Sequence, residues 1–252
     1  MSNDEDWKVV NRRRRGRVLK HTHVVSVPCC SDPQTIFKKV LEARSVVRSS
    51  QFFSNLVQVI KQTSSSGYEE IICYGLGRFS SSYQALYQLG LLLELQTDSQ
   101  VVVQIYDPVF SDLEKEVLTN LGLVLISKNE EGKRLVVRDT LFFLPHCPKE
   151  LFNNLLWANW GTPLRHCTIL GNRHSEILAY TAVTTLKQFW YICQITPALR
   201  QRDIINDFKY EDVFNNMAVH MFPAEKLSVV PDSIWRHREL PVYLDDDELV
   251  RS

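Results

Sequence analysis

The sequence predicts an α/β protein: a Rossmann-like three-layer αβα domain with a mostly parallel sheet, a helical N-terminal extension and an irregular C-terminal segment. Three observations carry that expectation. Five short runs are apolar on both faces rather than alternating, namely EEIICYGLG (69–77), QVVVQIYD (100–107), LVLIS (123–127), TLFFLP (140–145) and HCTILGN (166–172); strands of that kind belong in a parallel sheet covered on both sides. Helical patterns fall between strands, and right-handed crossovers then place helices on both faces. The length of 252 residues fits one such domain with extensions.

The elements follow in order. Asp32-Pro33 reads as a helix start, a cap followed by proline at the first helical position. Ile36, Val40, Leu41 and Val47 form one apolar stripe, and Phe52, Phe53, Leu56, Val57 and Ile60 form a second after the polar break at Arg48–Ser50. RFSSSYQALYQLGLLLEL (78–95) is a long apolar helix. In SDLEKEVLTNLG (111–122), Ser111 and Glu114 make a capping box, Leu113, Val117, Leu118 and Leu121 make the stripe, and Gly122 ends it. PKELFNNLLWANW (148–160) is a further helix. TAVTTLKQFWYICQI (181–195) fits helix or strand, NMAVHMF (216–222) alternates like a strand, and Pro223–Ser252 reads as irregular. The domain reading is a basic lead-in over 1–31, one α/β domain over 32–235 and an acidic tail over 236–252.

Charge and composition narrow the function. Lysine and arginine balance aspartate and glutamate at 29 each, so no global field favours nucleic acid or a membrane. The segment Arg12–Arg17 is the only place that suggests nucleic-acid contact or nuclear import, and a solvated tail explains it as well. No apolar run is long enough to span a bilayer, and the acidic start MSNDEDWK is unlike a signal peptide. The six cysteines are scattered without CxxC spacing and read as reduced thiols of an intracellular protein.

In parallel sheets ligands bind beyond the carboxyl ends of the strands. That rule selects Gly75–Ser82, Asp107, His146-Cys147 and Gly171-Asn172. The turn CYGLGRFSSS suggests a dinucleotide, other nucleotide or S-adenosylmethionine site: Gly75 and Gly77 let a ligand approach the backbone, and the next helix offers its free N–H groups. Asp107 stands where such folds place a ribose-binding acid. The match is partial, because Ser80 holds the third glycine position, Phe79 adds bulk, and Asp107 lies thirty residues beyond Gly77. Arg78 at the helix mouth points either to an anionic ligand or to an exposed ion pair.

His146 and Cys147 close the fourth strand. A thiol at a helix N-terminus would be stabilised as thiolate, and His146 is the candidate catalytic or pocket residue. Neighbours on an extended strand point to opposite faces, so a direct dyad is geometrically awkward, and no ligand spacing for a metal is present. On the following helix Asn159 falls within the apolar arc. Asn153, Asn154, Trp157 and Trp160 fall on the opposite one. The two tryptophans are either covered by the C-terminal segment or form an interaction surface.

Taken together, ICYGLGRFSSS, QIYDPVFS, LFFLPHCPKELFNNLLWANW, ILGN and FNNMAVHMFP resemble the SRR-like domain, named for the plant protein "sensitivity to red light reduced", over roughly residues 45–235. The resemblance implies a regulator of haem biosynthesis and of circadian clock gene expression, in cytoplasm and nucleus, with no assigned reaction. It marks Gly75, Gly77, Phe79, Ser80, Asp107, His146, Cys147, Trp157, Trp160 and Asn172 as motif positions. S-adenosylmethionine and a nucleotide are the candidate ligands, haem through Cys147-Pro148 a further one, and a methyltransferase-like enzyme or a protein-interaction module the alternative functions.

Overall fold

The computed structural model describes residues 32–63 and 67–243. Residues 1–31, with Arg12–Arg17, and residues 244–252 lie outside the described part. Two helices come first, α1 (Pro33–Arg48) and α2 (Gln51–Thr63). Asp32 caps α1 by accepting the Thr35 N–H at 2.8 Å, and Pro33 occupies a position where no N–H is needed.

Seven strands form one sheet: β1 (Glu70–Tyr74), β2 (Val102–Tyr106), β3 (Val124–Leu125), β4 (Thr140–Leu144), β5 (Cys167–Asn172), β6 (Arg200–Asp203) and β7 (Met217–Met221). Their order is β3-β2-β1-β4-β5-β7-β6. The first five pair in parallel, whereas β7 runs antiparallel to both β5 and β6. The apolar runs are explained by the two cores: Ile71, Cys73, Leu141 and Phe143 face one, while Ile72, Tyr74, Phe142 and Leu144 face the other.

The first core lies under α1, α3 (Tyr83–Ser99) and α4 (Asp112–Asn120). Because α1 covers it from outside, α3 is buried nearly all round, which accounts for its apolar sequence. Gly90 permits the close crossing, since a Cβ there would stand 3.0–3.1 Å from the α1 backbone at Ala43 and Arg44. Buried Glu94 receives the Arg44 Nε at 2.6 Å across the same crossing. The second core lies under α5 (Lys149–Ala158), α6 (His174–Tyr180) and α7 (Trp190–Ile195), with two one-turn helices, α8 (Ala224–Leu227) and α9 (Asp232–Trp235), closing it.

Several expectations are corrected. The third strand is two residues long, because the chain leaves the sheet at Ile126. The ambiguous stretch 181–195 turns through 3-10 geometry into α7 rather than forming a strand. β6, sequence RQRD, is an edge strand whose charges gave no strand signal and guard its open side. The chain beyond Trp235 is also part of the domain: the Tyr191 hydroxyl donates to the Glu239 carbonyl at 2.6 Å, and Tyr243 is buried. Among the described residues no helix is long and apolar enough to cross a membrane.

Candidate functional site

The strand order places the topological switch point between β1 and β4, because β1 leads outward to β2 and β3 and the chain then returns to β4. β1 ends at Tyr74, and Gly75 turns the chain away at φ +65°. Cys147, two residues beyond Pro145, comes back against that turn. Its thiol donates to the Tyr74 carbonyl at 3.0 Å. A Cβ on Gly75 would sit 2.5 Å from the Cys147 Sγ, so the glycine is required to make room for the sulfur.

Cys147 is 8% exposed, and burial, aided by the negative charge of Asp107, pushes its thiol well above the ordinary range. This corrects the expectation of a stabilised thiolate: desolvation outweighs the helix end. The sulfur is engaged with backbone and is not presented to a haem iron.

Asp107 joins two turns. Its Oδ2 accepts the Gly77 N–H at 2.8 Å and its Oδ1 the Val109 N–H at 2.9 Å. Over these turns lies a cavity of about 280 Å³, lined by Tyr74, Gly75, Gly77, Tyr106, Asp107, Pro108, Val109, Asn129, Glu131, Gly132, Pro148 and Leu151. Gly75, Gly77 and Asp107 are thus brought together.

Arg78, Phe79 and Ser80 are not part of the lining. Phe79 is buried in the first core, edge to face with Phe110 at 5.9 Å. The Ser80 N–H donates to Glu114 Oε1 at 2.9 Å. Arg78 is exposed. The physical reason is an extra turn: α3 begins only at Tyr83, capped by Ser82, so the glycines do not feed directly into a helix N-terminus.

His146 and Asn172 meet in a neighbouring cavity of about 350 Å³, with Cys147, Pro148, Lys149, Glu176, Ile177, Tyr180, Thr181 and Asn216. Pro148 is common to both cavities, and the line Cys147-Pro148 separates them. His146 adopts φ +51°, a left-handed conformation unusual for a residue with a Cβ, and its Nε2 lies 3.2 Å from the Val213 carbonyl. Asn172 donates to the Cys147 carbonyl at 3.0 Å, while its buried Oδ1 has no partner among the described residues.

The loop after β3 was missed as a site element. Its NEEG sequence, Asn129–Gly132, follows a strand's carboxyl end, the one signal that could have found it. Asn154 holds this loop by donating to the Glu131 carbonyl at 2.7 Å. Asn153 and Asn154, expected on a polar face, are fully buried, because Tyr243 closes over them: its hydroxyl accepts from Asn153 at 2.9 Å and donates to Asn154 at 2.8 Å. Asn159 is buried as its arc required, accepting from the Val136 N–H and donating to the Arg134 and Leu155 carbonyls. Tyr74, at the cavity wall, donates to Glu130, which Arg134 grips at 2.7 and 2.8 Å.

The tryptophans part company. Trp160 is 2% exposed, packed edge to face against Trp190, Tyr191 and Trp235, with its Nε1 donating to the Ile234 carbonyl at 3.0 Å. It is a packing residue: of the two alternatives, cover by the C-terminal segment holds for it through Ile234 and Trp235, and the interaction surface does not. Trp157 is half-buried and donates to the Arg238 carbonyl at 3.3 Å.

The model of the SRR1 domain matches residues 36–221, which span every strand of the sheet. The chain belongs to the SRR1 family. An SRR1-like protein of Drosophila melanogaster is 33% identical over 183 residues, 72% of this chain and 65% of that protein, so the match spans just under two thirds of the fly relative. The Arabidopsis thaliana protein SENSITIVITY TO RED LIGHT REDUCED 1 is 29% identical over 283 aligned residues, 97% of each chain. Among solved structures, the cofactor-bound protein Rv0187 from MTB is similar over 77% of this chain and 82% of its own, with a TM-score of 0.37 and 16% identity. A likeness of that degree says nothing about what the cavity holds.

Proposed function

We propose that this SRR1-family chain is a regulatory protein that acts through a small ligand held in the cavity at Gly75, Gly77 and Asp107. The observation that carries the reading is the cavity's place: it opens at the carboxyl ends of β1 and β2, beside the switch point, with one buried carboxylate fixed between two turns. Regulation of haem biosynthesis and of circadian clock gene expression, in cytoplasm and nucleus, is the setting the family resemblance supplies. A nucleotide and S-adenosylmethionine are the candidate ligands.

Thermal shift against S-adenosylmethionine, ATP, NAD and haem tests the reading, since a ligand bound to the folded state raises its stability by mass action. One of the first three is expected to raise the midpoint, and Asp107→Asn to abolish the rise. No rise with any of them contradicts ligand-dependent action.

A second reading is a transfer enzyme, methyltransferase-like, with His146 acting on a second molecule. It is favoured by the second cavity sharing the Pro148 wall with the first. Turnover lost in His146→Gln with ligand binding intact would support it.

A further inference from the structure

We infer that the cavity beside the switch point selects a nucleoside-sized ligand without phosphate, neutral or positively charged, that donates hydroxyl hydrogen bonds to Asp107. The inference rests on the ligand-binding reading above and adds the chemistry the site accepts. Size is the first argument. At about 280 Å³ the cavity falls at the lower limit of the roughly 300–1,000 Å³ common for ligand pockets, which suits one nucleoside and not a dinucleotide.

Charge is the second. Among the lining residues two are carboxylates, Asp107 and Glu131, and none is lysine or arginine. The cations close by are directed elsewhere. Lys133 is taken up by the lining Glu131 at 2.6 Å, Arg134 forks Glu130, Lys149 stands 4.8 Å over the Phe189 ring, and Arg78 and Lys128 are exposed and outside the lining. A phosphate placed here would meet the Asp107 carboxylate with no lysine or arginine in the lining to offset it.

Helix ends give the third argument. Phosphate in α/β folds is commonly held by free N–H groups at a helix N-terminus. Here Ser82 accepts the Ala85 N–H at 3.3 Å at the start of α3, outside the cavity. α5 presents Pro148, which has no N–H, and carries buried Glu150 in its first turn. What the cavity does offer is aromatic and apolar wall, Tyr74, Tyr106, Val109 and Leu151, around one anchored acid. The Asp107 oxygens each accept one backbone N–H and retain lone pairs for a ligand's hydroxyls.

The test is calorimetric titration of the whole chain with the four ribonucleosides, their 5′-monophosphates and S-adenosylmethionine. At least one nucleoside is expected to bind, its monophosphate at least about tenfold more weakly, from like-charge repulsion at an effective dielectric of ~20. S-adenosylmethionine is expected to bind at least as tightly as adenosine. Arg78→Ala is expected to leave nucleoside affinity unchanged, and Leu151→Trp to remove it by filling the cavity. A monophosphate binding more tightly than its nucleoside, or a loss of binding in Arg78→Ala, overturns the phosphate-free inference and leaves the cavity reading standing. No binding by any compound overturns both.

Discussion

The two cavities at the head of the sheet are neighbours built on different principles. The first is fixed. Gly75 and Gly77 make the turns, Asp107 ties them together, and Asn154 holds the opposite loop. Each of these three bonds runs to backbone, so the shape of the turns is set before a ligand arrives. The second gathers features a fold does not keep for stability: His146 and Asn216 at positive φ, and a buried Asn172 oxygen without a donor among the described residues. Its floor is a seven-residue helix, α6, attached through buried imidazoles. The pair teaches that position at the carboxyl ends of strands does not make one site. The first cavity is braced through backbone bonds, and the second carries the strained and unpaired groups.

The largest effect should come from disturbing the first. Gly75→Ala sets a methyl group into the Cys147 sulfur and imposes a left-handed penalty, for a loss of about 3 kcal/mol. Urea denaturation of Gly75→Ala, Cys147→Ala and the double variant checks it. The double variant should lose less than the sum of the two, because removing the sulfur removes the clash and leaves only the backbone strain.

Acid should act on the second region. Burial pushes the His220 imidazole down to about 4. Its Nδ1 lies 3.1 Å from the Ile169 carbonyl and so carries the proton, while its Nε2 accepts the backbone N–H of His174 at the start of α6. Because the folded value is below the unfolded value near 6.5, the stability it contributes is whole above pH 6.5 and is lost as pH falls towards 4. The loss amounts to about 3 kcal/mol at most for this group. Burial lowers His174 as well. Hydrogen exchange at pH 7 and pH 5 should show residues 172–181 opening at the lower pH while residues 74–80 hold, and His220→Phe should flatten the dependence.

The smallest effect is expected for His146→Gly. Glycine accepts φ +51° freely, a gain of about 1 kcal/mol, and only the contact to the Val213 carbonyl is lost, so stability should change by less than about 1 kcal/mol in either direction. Paired with Gly75→Ala, it measures how unequally the two regions are braced.

The sequence revealed the parts whose cause is local. The apolar strands, the Asp32 cap, the Ser111–Glu114 capping box and the Gly75, Gly77 and Asp107 positions all announce themselves within a few residues. What it concealed depends on distant cover. Asn153 and Asn154 look like a solvated face until Tyr243, about ninety residues on, closes over them. Trp160 looks like an anchor until Trp190 and Trp235 arrive. Phe79 and Ser80 follow a glycine pattern that normally enters a helix, but they lie in the five residues between Gly77 and the start of α3, which turn them into the core and onto Glu114. β6 hides because it is a mostly exposed edge strand held by its pairing to β7, so it needs no apolar run of its own.

The central claim is that ligand enters the first cavity and not the second. Hydrogen-exchange mass spectrometry with and without saturating adenosine tests it most directly. The account predicts slowed exchange at residues 74–80, 107–110 and 129–132, where the Gly77 and Val109 amides bond to Asp107, and no change at residues 172–181. Protection confined to 172–181, with the first group unchanged, would contradict it.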